Sequence, residues 1–468
     1  MKILHYMFGL PPVRGGGLIR YATDLMEQER KMKQEVILLI PGVIPWNHSR
    51  KVRIDKAANY GNIPTYSIFH PLPIPMGNGI KEIRAFTRAC DGQVYLQFLK
   101  MLQPDMIHIH TLMGLHREFL QQAEILHIPV VFTTHDYFGI CPTVNLLSEG
   151  RICESQDWKN CGLCCSYAYS WKKLWLEQSN VYRFYRKHSC LVSLFHHRKL
   201  KKFFRMQVHN VEKKQNSQTD RSLDYTILKN YYMGMFQKIT CFHFNSTTAE
   251  RMYRSRLEEP AGIVEPVSHL GIRDRRCKRS YGPVLKLGYF GGWLEHKGVW
   301  VLLEACRQLQ EEGCRKMELH VYADAGGEKA LAYTQMQAVN IHPAFAQAQF
   351  PKILDSLDIL IAPGIWPETF GLVVLEAISC GVPVVLSEFT GARDLLTEYP
   401  SAGFIYDGTL QGLKEVLKKI YWNRELLEQA NECILQMDFN VSFELHTDHI
   451  LDLYKKLRQP AKLPGRMI

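Results

Sequence analysis

No run of the roughly 18 apolar residues needed to cross a bilayer occurs in the 468-residue chain. The opening, MKILHYMFGLPP, lacks the long apolar stretch of a secretory signal and reads as a first strand. The expected location is therefore the cytoplasm, where the 13 cysteines are reduced thiols or metal ligands rather than disulfides. There is no low-complexity tract and no RNA- or DNA-binding motif, so nucleic acid is not an expected partner. Acids are the scarcer charge, 46 against 57 Lys and Arg, but the excess is moderate and local. Hydrophobic content of 46% and charged content of 22% describe a soluble globular chain. At this length one core does not suffice, and two domains are expected.

Short β-branched runs alternate with helical sequence almost throughout. KILHYMF (2–8), EVILLIPG (35–42), DMIHIH (105–110) and IPVVFTTHD (128–136) read as strands, with helices between. The pattern restarts after Ser280 with VLKLGYFGG (284–292), MELHVYAD (317–324), VNIHPAF (339–345), DILIAP (358–363) and VPVVLS (382–387). Apolar strands separated by helices form parallel sheets covered on both faces. The expected fold class is α/β, with two Rossmann-like domains facing each other across a cleft. The first covers 1–275 and includes a cysteine-rich loop (141–165) and a basic, aromatic insertion (171–230). The second covers 284–440, after a basic, poorly patterned linker at 271–283. Residues 441–468 carry a last helix that either half can accept, including by crossing back to the first.

Within PETFGLVVLE (367–376), Glu368 stands at the mouth of an apolar run and Glu376 lies inside it. A buried carboxylate without a partner costs several kcal/mol or gives up its charge. Glu376 therefore has a protein partner, Arg393 being one candidate, or it waits for a ligand rich in hydroxyls. The order strand, loop, helix places Glu368 and the amides of Phe370, Gly371 and Leu372 at the C-terminal edge of a sheet, beside a helix N-terminus. Open α/β sheets bind ligands at such an edge, and the free amides there favour an anion. A carboxylate at 376 suits a ribose diol.

PETFGLVVLEAISCGVPVV resembles the Glu-x7-Glu signature of retaining glycosyltransferases of family 4, which have the GT-B fold. YFGGWLEHKGV (289–299) resembles that family's glycine-rich loop, LPPVRGGG (10–17) its N-terminal phosphate-facing loop, and TTHDYFGICP (133–142) its His-Asp segment. FNSTTAERMY and SHLGIRD are similar to its segments before the linker. The resemblance implies a hexosyl transfer from a UDP- or GDP-sugar to a polysaccharide or lipid-linked acceptor, with no metal in catalysis. The first domain then faces the acceptor, and the second binds the donor nucleotide. It further implies that Glu376 holds the ribose and that Glu368 contacts the transferred sugar. Lys297 then neutralises the diphosphate, the Gly15 and Gly16 amides lie opposite, and His135 contacts the sugar. One departure is Gly292, where the family often has an Arg that also meets the leaving-group charge. Arg14 and Arg273 are candidates to replace it. The competing readings are a nucleotide-sugar epimerase of the same architecture and a non-enzymatic assembly protein.

Two further features stand outside that signature. Cys141, Cys153, Cys161 and Cys164, with Cys165, suit a structural zinc site or a set of free thiols. Lys172 through Lys214 hold twelve basic residues with aromatics interleaved. That composition suits either an anionic membrane surface or a solvated face.

Overall fold

The computed structural model describes residues 1–45, 51–75, 79–180, 182, 225–323, 338–343, 345–439 and 442–459. Among the described residues, ten strands precede the linker: β1 (Lys2–Tyr6), β2 (Glu35–Pro41), β3 (Arg53–Lys56), β4 (Thr65–Phe69), β5 (Met106–Ile109), β6 (Val130–Thr133), β7 (Leu147–Ser148), β8 (Arg151–Ile152), β9 (Cys241–Phe244) and β10 (Gly262–Val264). Eight of them form one sheet in the order β10-β9-β6-β5-β1-β2-β4-β3, and β7 pairs with β8 in a separate hairpin. All neighbours in the large sheet are parallel except β3 and β4. Six described strands follow the linker: β11 (Leu285–Phe290), β12 (Met317–Tyr322), β13 (Val339–His342), β14 (Ile359–Ala362), β15 (Val384–Ser387) and β16 (Gly403–Tyr406). They form an all-parallel sheet in the order β13-β12-β11-β14-β15-β16. This is the doubly wound order, whose strand sequence reverses between β11 and β14.

The central strands β1, β5, β6, β14 and β15 are almost wholly buried, as both-face coverage requires. Of the main-sheet strands not identified from sequence, β3, β10 and β16 lie at sheet edges, and β4 and β9 lie next to an edge strand. RIDK in β3 is polar and partly exposed, and GFIY in β16 has a half-buried and an exposed residue side by side between two buried ones. The helix Arg117–Ile125 follows Gly114, whose φ of +83 lies outside the right-handed helical region.

The linker is clamped rather than loose. The Arg276 guanidinium donates to the Ile434 and Met437 carbonyls at 2.7 and 2.8 Å, and Arg279 donates to the Leu357 carbonyl at 2.7 Å. The last helix, Phe443–Arg458, lies against the first helix, Gly17–Lys31. Its Ile450 and Tyr454 are fully buried in a layer that also contains Tyr21 and Leu25 of the first helix and Val374 and Leu375 of the second domain. That shared apolar layer, with ion pairs and hydrogen bonds between the sheets, holds the two halves face to face.

Candidate active site

A cavity of about 310 Å³ opens between the two sheets. Its first-domain wall includes Tyr21, His135 and Asn245, and its second-domain wall includes Gly291, Lys297 and Glu368. The second-domain residues come from the loops that leave the C-terminal ends of β11 and β14. These are the two strands flanking the reversal of strand order, where such sheets bind ligands.

Two glycines shape this wall. Gly298 has φ +74, and a Cβ there would collide with the Pro363 carbonyl. Its absence lets the β11 loop lie on the β14 loop, which brings Lys297 to Glu368 as an ion pair. The ammonium also sits 5.0 Å from the Trp366 ring centroid. Gly371, at φ +104, turns the chain into the helix Leu372–Ser379. The first amides of that helix have no partner within it, and Phe370, Gly371 and Leu372 line the cavity.

Of the two alternatives open for Glu376, a protein partner or a hydroxyl-rich ligand, the structure shows protein partners. Glu376 lines a neighbouring cavity of about 270 Å³ with Arg20, Arg275 and Gln347. Its Oε1 accepts from Arg20 at 2.9 Å, His269 Nε2 at 3.0 Å and Gln347 Nε2 at 2.7 Å. Arg393, the candidate partner from sequence, instead donates to the Glu388 carbonyl at 2.9 Å. The buried acid is thus held by protein donors, and Arg20 reaches it from the first domain.

The glycine loops also shift by one position. Gly17 and Gly291 line the cavity, whereas Gly15, Gly16 and Gly292 stand outside the set of lining residues. Neither candidate for the missing arginine lines it. Arg14 is buried beneath Gly9, and exposed Arg273 donates to the Ile272 carbonyl at 2.9 Å. Sequence reasoning missed Tyr21, Asn245 and Trp366 on the wall and Arg20 beside Glu376. Asn245 had a local signal: it precedes Ser246, whose side chain caps a helix by accepting from the Ala249 amide.

His135 lies where the first domain meets the cavity, and its carbonyl accepts from Thr369 Oγ1 of the second domain at 3.0 Å. Burial, reinforced by His243 and His446, holds its imidazole well below the usual histidine range. Burial raises the neighbouring Asp136 carboxyl to about 6, against hydrogen bonds from the Phe138 amide and Thr111 hydroxyl that favour its charge.

The cysteine loop wraps the β7–β8 hairpin. Burial raises the Cys161 thiol, and the nearby thiols of Cys141, Cys165, Cys164 and Cys153 raise it further. Among the described residues, the group that brings three ligating atoms within 4.8 Å of one another is His5, His108 and His110, not these cysteines. Of the basic, aromatic stretch, Lys172 and Lys173 belong to the helix Trp171–Glu177, while Arg183 to Lys214 lie outside the described residues. Among the described residues no helix is long and apolar enough to cross a membrane.

The charged pair at a helix N-terminus, set at the strand-order reversal of a doubly wound sheet, lies within a recognisable segment. Residues 274–435 match the glycosyl transferases group 1 family. Glu368, Glu376 and Lys297 fall inside this group 1 segment, and His135 and the glycines at 15–17 fall outside it. A curated relative, "Amylovoran biosynthesis glycosyltransferase AmsK" of Erwinia amylovora, is 28% identical over 138 residues. That alignment covers 27% of this chain and 33% of the relative, so the match spans about a third of the relative's length. Among solved structures, sucrose-phosphate synthase from Thermosynechococcus elongatus superposes with a TM-score of 0.57 at 14% identity, covering 97% of this chain and 98% of the other. Anabaena Alr3699/HepE in complex with UDP and glucose superposes with a TM-score of 0.56 at 13% identity, covering 97% and 99%. These likenesses are of fold: the group 1 segment is the second half of a GT-B architecture.

Proposed function

We propose that the chain is a retaining glycosyltransferase of family 4. It moves a hexosyl unit from a UDP- or GDP-sugar to a polysaccharide or lipid-linked acceptor in cell-surface or exopolysaccharide synthesis. The observation that carries this reading is the Lys297–Glu368 pair at a helix N-terminus in the interdomain cavity, inside the group 1 segment. A solved neighbour that holds UDP and glucose supports the donor class, and a relative named for amylovoran biosynthesis supports the acceptor class.

Departure of a nucleoside diphosphate needs positive charge and amide dipoles in place before the bond breaks. In this reading Lys297 and the amides from Phe370 to Leu372 supply them without a metal. Glu368 holds Lys297 and touches the hexose. The ribose diol engages Glu376, either at Oε2 or by displacing Arg20 and Gln347 from Oε1. The transition state is oxocarbenium-like, with attack from the leaving-group face.

Glu368→Gln is the test. Transfer from a radiolabelled nucleotide sugar should fall by about 10²-fold or more, while nucleoside diphosphate still binds by calorimetry. Full turnover by the variant refutes the assignment. Conversion of the donor sugar in the absence of acceptor would instead mark an epimerase. Absence of both donor hydrolysis and transfer by the wild-type chain, across UDP- and GDP-sugars, would leave an assembly protein.

The thiols at 141, 153, 161 and 164 have the donor chemistry of a structural zinc site but do not stand as a closed tetrahedral cage. Zinc binding there would require the loop to tighten. Metal analysis of wild type and Cys161→Ser decides it: one zinc per chain, lost in the variant, supports the site. Metal-free wild type removes it.

A further inference from the structure

Behind His135 a row of imidazoles runs into the core of the first domain. His135 Nε2 is 3.3 Å from His110 Nδ1, His110 Nε2 is 3.1 Å from His5 Nδ1, and His5 Nε2 is 2.7 Å from Glu29 Oε2. His5, His110 and Glu29 are fully buried. The row follows from the fold. His5 on β1 pairs in register with His108 on β5, and His110 continues from the end of β5 on the same face. Glu29 comes from the first helix, which covers that face.

Hydrogen-bond arithmetic gives the row a direction. Each neutral imidazole has one N–H and one lone pair. An oxygen of Glu29 that accepts from His5 Nε2–H leaves His5 Nδ1 as an acceptor. His110 must then donate through Nε2 and accept at Nδ1, so His135 must donate through Nε2. The lone pair left on His135 Nδ1 is 3.5 Å from the Asn245 amide nitrogen, a donor, as this polarity requires. Asn245 lines the same cavity and is 2% exposed, yet its Oδ1 has no hydrogen-bond partner. An unpaired buried acceptor costs on the order of 1–3 kcal/mol and therefore points to a missing donor.

The neighbouring His108 does not turn the group into a metal site. Its Nδ1 faces the Tyr454 hydroxyl at 2.5 Å and its Nε2 the Thr133 hydroxyl at 2.6 Å. Together with the contacts above, all six ring nitrogens of His5, His108 and His110 have protein partners.

We propose that Glu29, His5 and His110 are positioning residues that fix His135 as its Nε2–H tautomer, so that His135 Nδ1 accepts from the Asn245 amide nitrogen and Asn245 Oδ1 is left as the acceptor for a hydroxyl of the transferred sugar. This rests on the sugar-transfer reading above. A neutral acceptor takes a hydroxyl donor and rejects a carboxylate, which brings only lone pairs. The sugar is accordingly a hexose bearing a hydroxyl at that position, not a hexuronate.

The tautomer can be read directly. The full chain is labelled with [15N]histidine, and long-range 1H–15N spectra are recorded without donor. The His135 signals are assigned by their loss in His135→Gln. Wild type should show Nδ1 unprotonated and Nε2 protonated. His110→Phe, which cuts the row, and Glu29→Gln, which alters its end, should each drive His135 to mixed tautomers and lower kcat/KM for donor by about tenfold. A wild-type His135 protonated at Nδ1 overturns the proposal even if neither variant folds. So do unchanged His135 signals in folded variants. The spectra need no substrate. The expected tautomer in a chain without transferase activity would therefore refute the function and leave the row standing.

Discussion

Glu376 shows how a single carboxylate can look unpaired in sequence and be fully engaged in the structure. Its donors Arg20, His269 and Gln347 lie 356, 107 and 29 residues away, and no local pattern announces them. Glu376→Gln keeps the shape and removes the charge, so nucleoside diphosphate affinity should drop about tenfold by calorimetry if a diol is gripped there. Unchanged affinity would remove the ribose role. Asp136 gives a pH signature of its own. Burial raises its carboxyl to about 6, whereas an unfolded chain releases that proton near an ordinary value of about 4. Between those values the folded state holds a proton that the unfolded state has lost, so this group's contribution is full at low pH and disappears as pH rises through about 6. Asp136→Asn should abolish that component. Urea unfolding at about pH 4 and about pH 7 should show wild type losing stability relative to the variant on going up in pH. Parallel behaviour of the two proteins would contradict the burial assigned to Asp136.

At the scale of elements, the strand–loop–helix order around Glu368 was legible because each part carries its own period and its own stop. The strand is apolar, the turn has Pro and Gly, and the helix ends before Gly381. The glycines were legible as loops but not as individual contacts. Gly298 matters because the Pro363 carbonyl, 65 residues later, occupies the space of its Cβ. Edge strands β3 and β16 escaped notice for the opposite reason: RIDK is polar, GFIY is only four residues long, and neither alternates cleanly. DMIHIH was readable as a strand with two histidines on one face, but Glu29 and His135 are joined to it only by the fold. Gly298→Ala tests the loop contact. The left-handed backbone alone costs about 1–2 kcal/mol, and the collision should push Lys297 away from Glu368. We expect a lower melting temperature and transfer reduced together. Gly234→Ala, in the helix Tyr225–Phe236 with nothing near its Cβ position, should be neutral or stabilising by about 0.5–1 kcal/mol. Equal behaviour of the two variants would mean that the Pro363 contact does not shape the site.

At the scale of the whole molecule, the chain end supports the chain start. Tyr21 of the first helix is 2.8 Å from His446 Nε2, and Tyr454 reaches both His108 and Glu29, so the last helix seals the face that carries the histidine row. The same helix shares an apolar layer with Val374 and Leu375, beside the Glu376 carboxylate. Loss of packing there should therefore be felt first in the domain that is remote in sequence. Ile450→Ala empties a fully buried site and should cost about 2–5 kcal/mol. Hydrogen exchange followed by mass spectrometry should show protection falling in the first helix and in β1 and β5. The interior of the second sheet, β11 and β12, should keep its protection, because the core around those strands contains no residue of the last helix. Protection lost only in the second domain would mean that the last helix stabilises the half it follows in sequence. The histidine row would then owe its burial to the first helix alone.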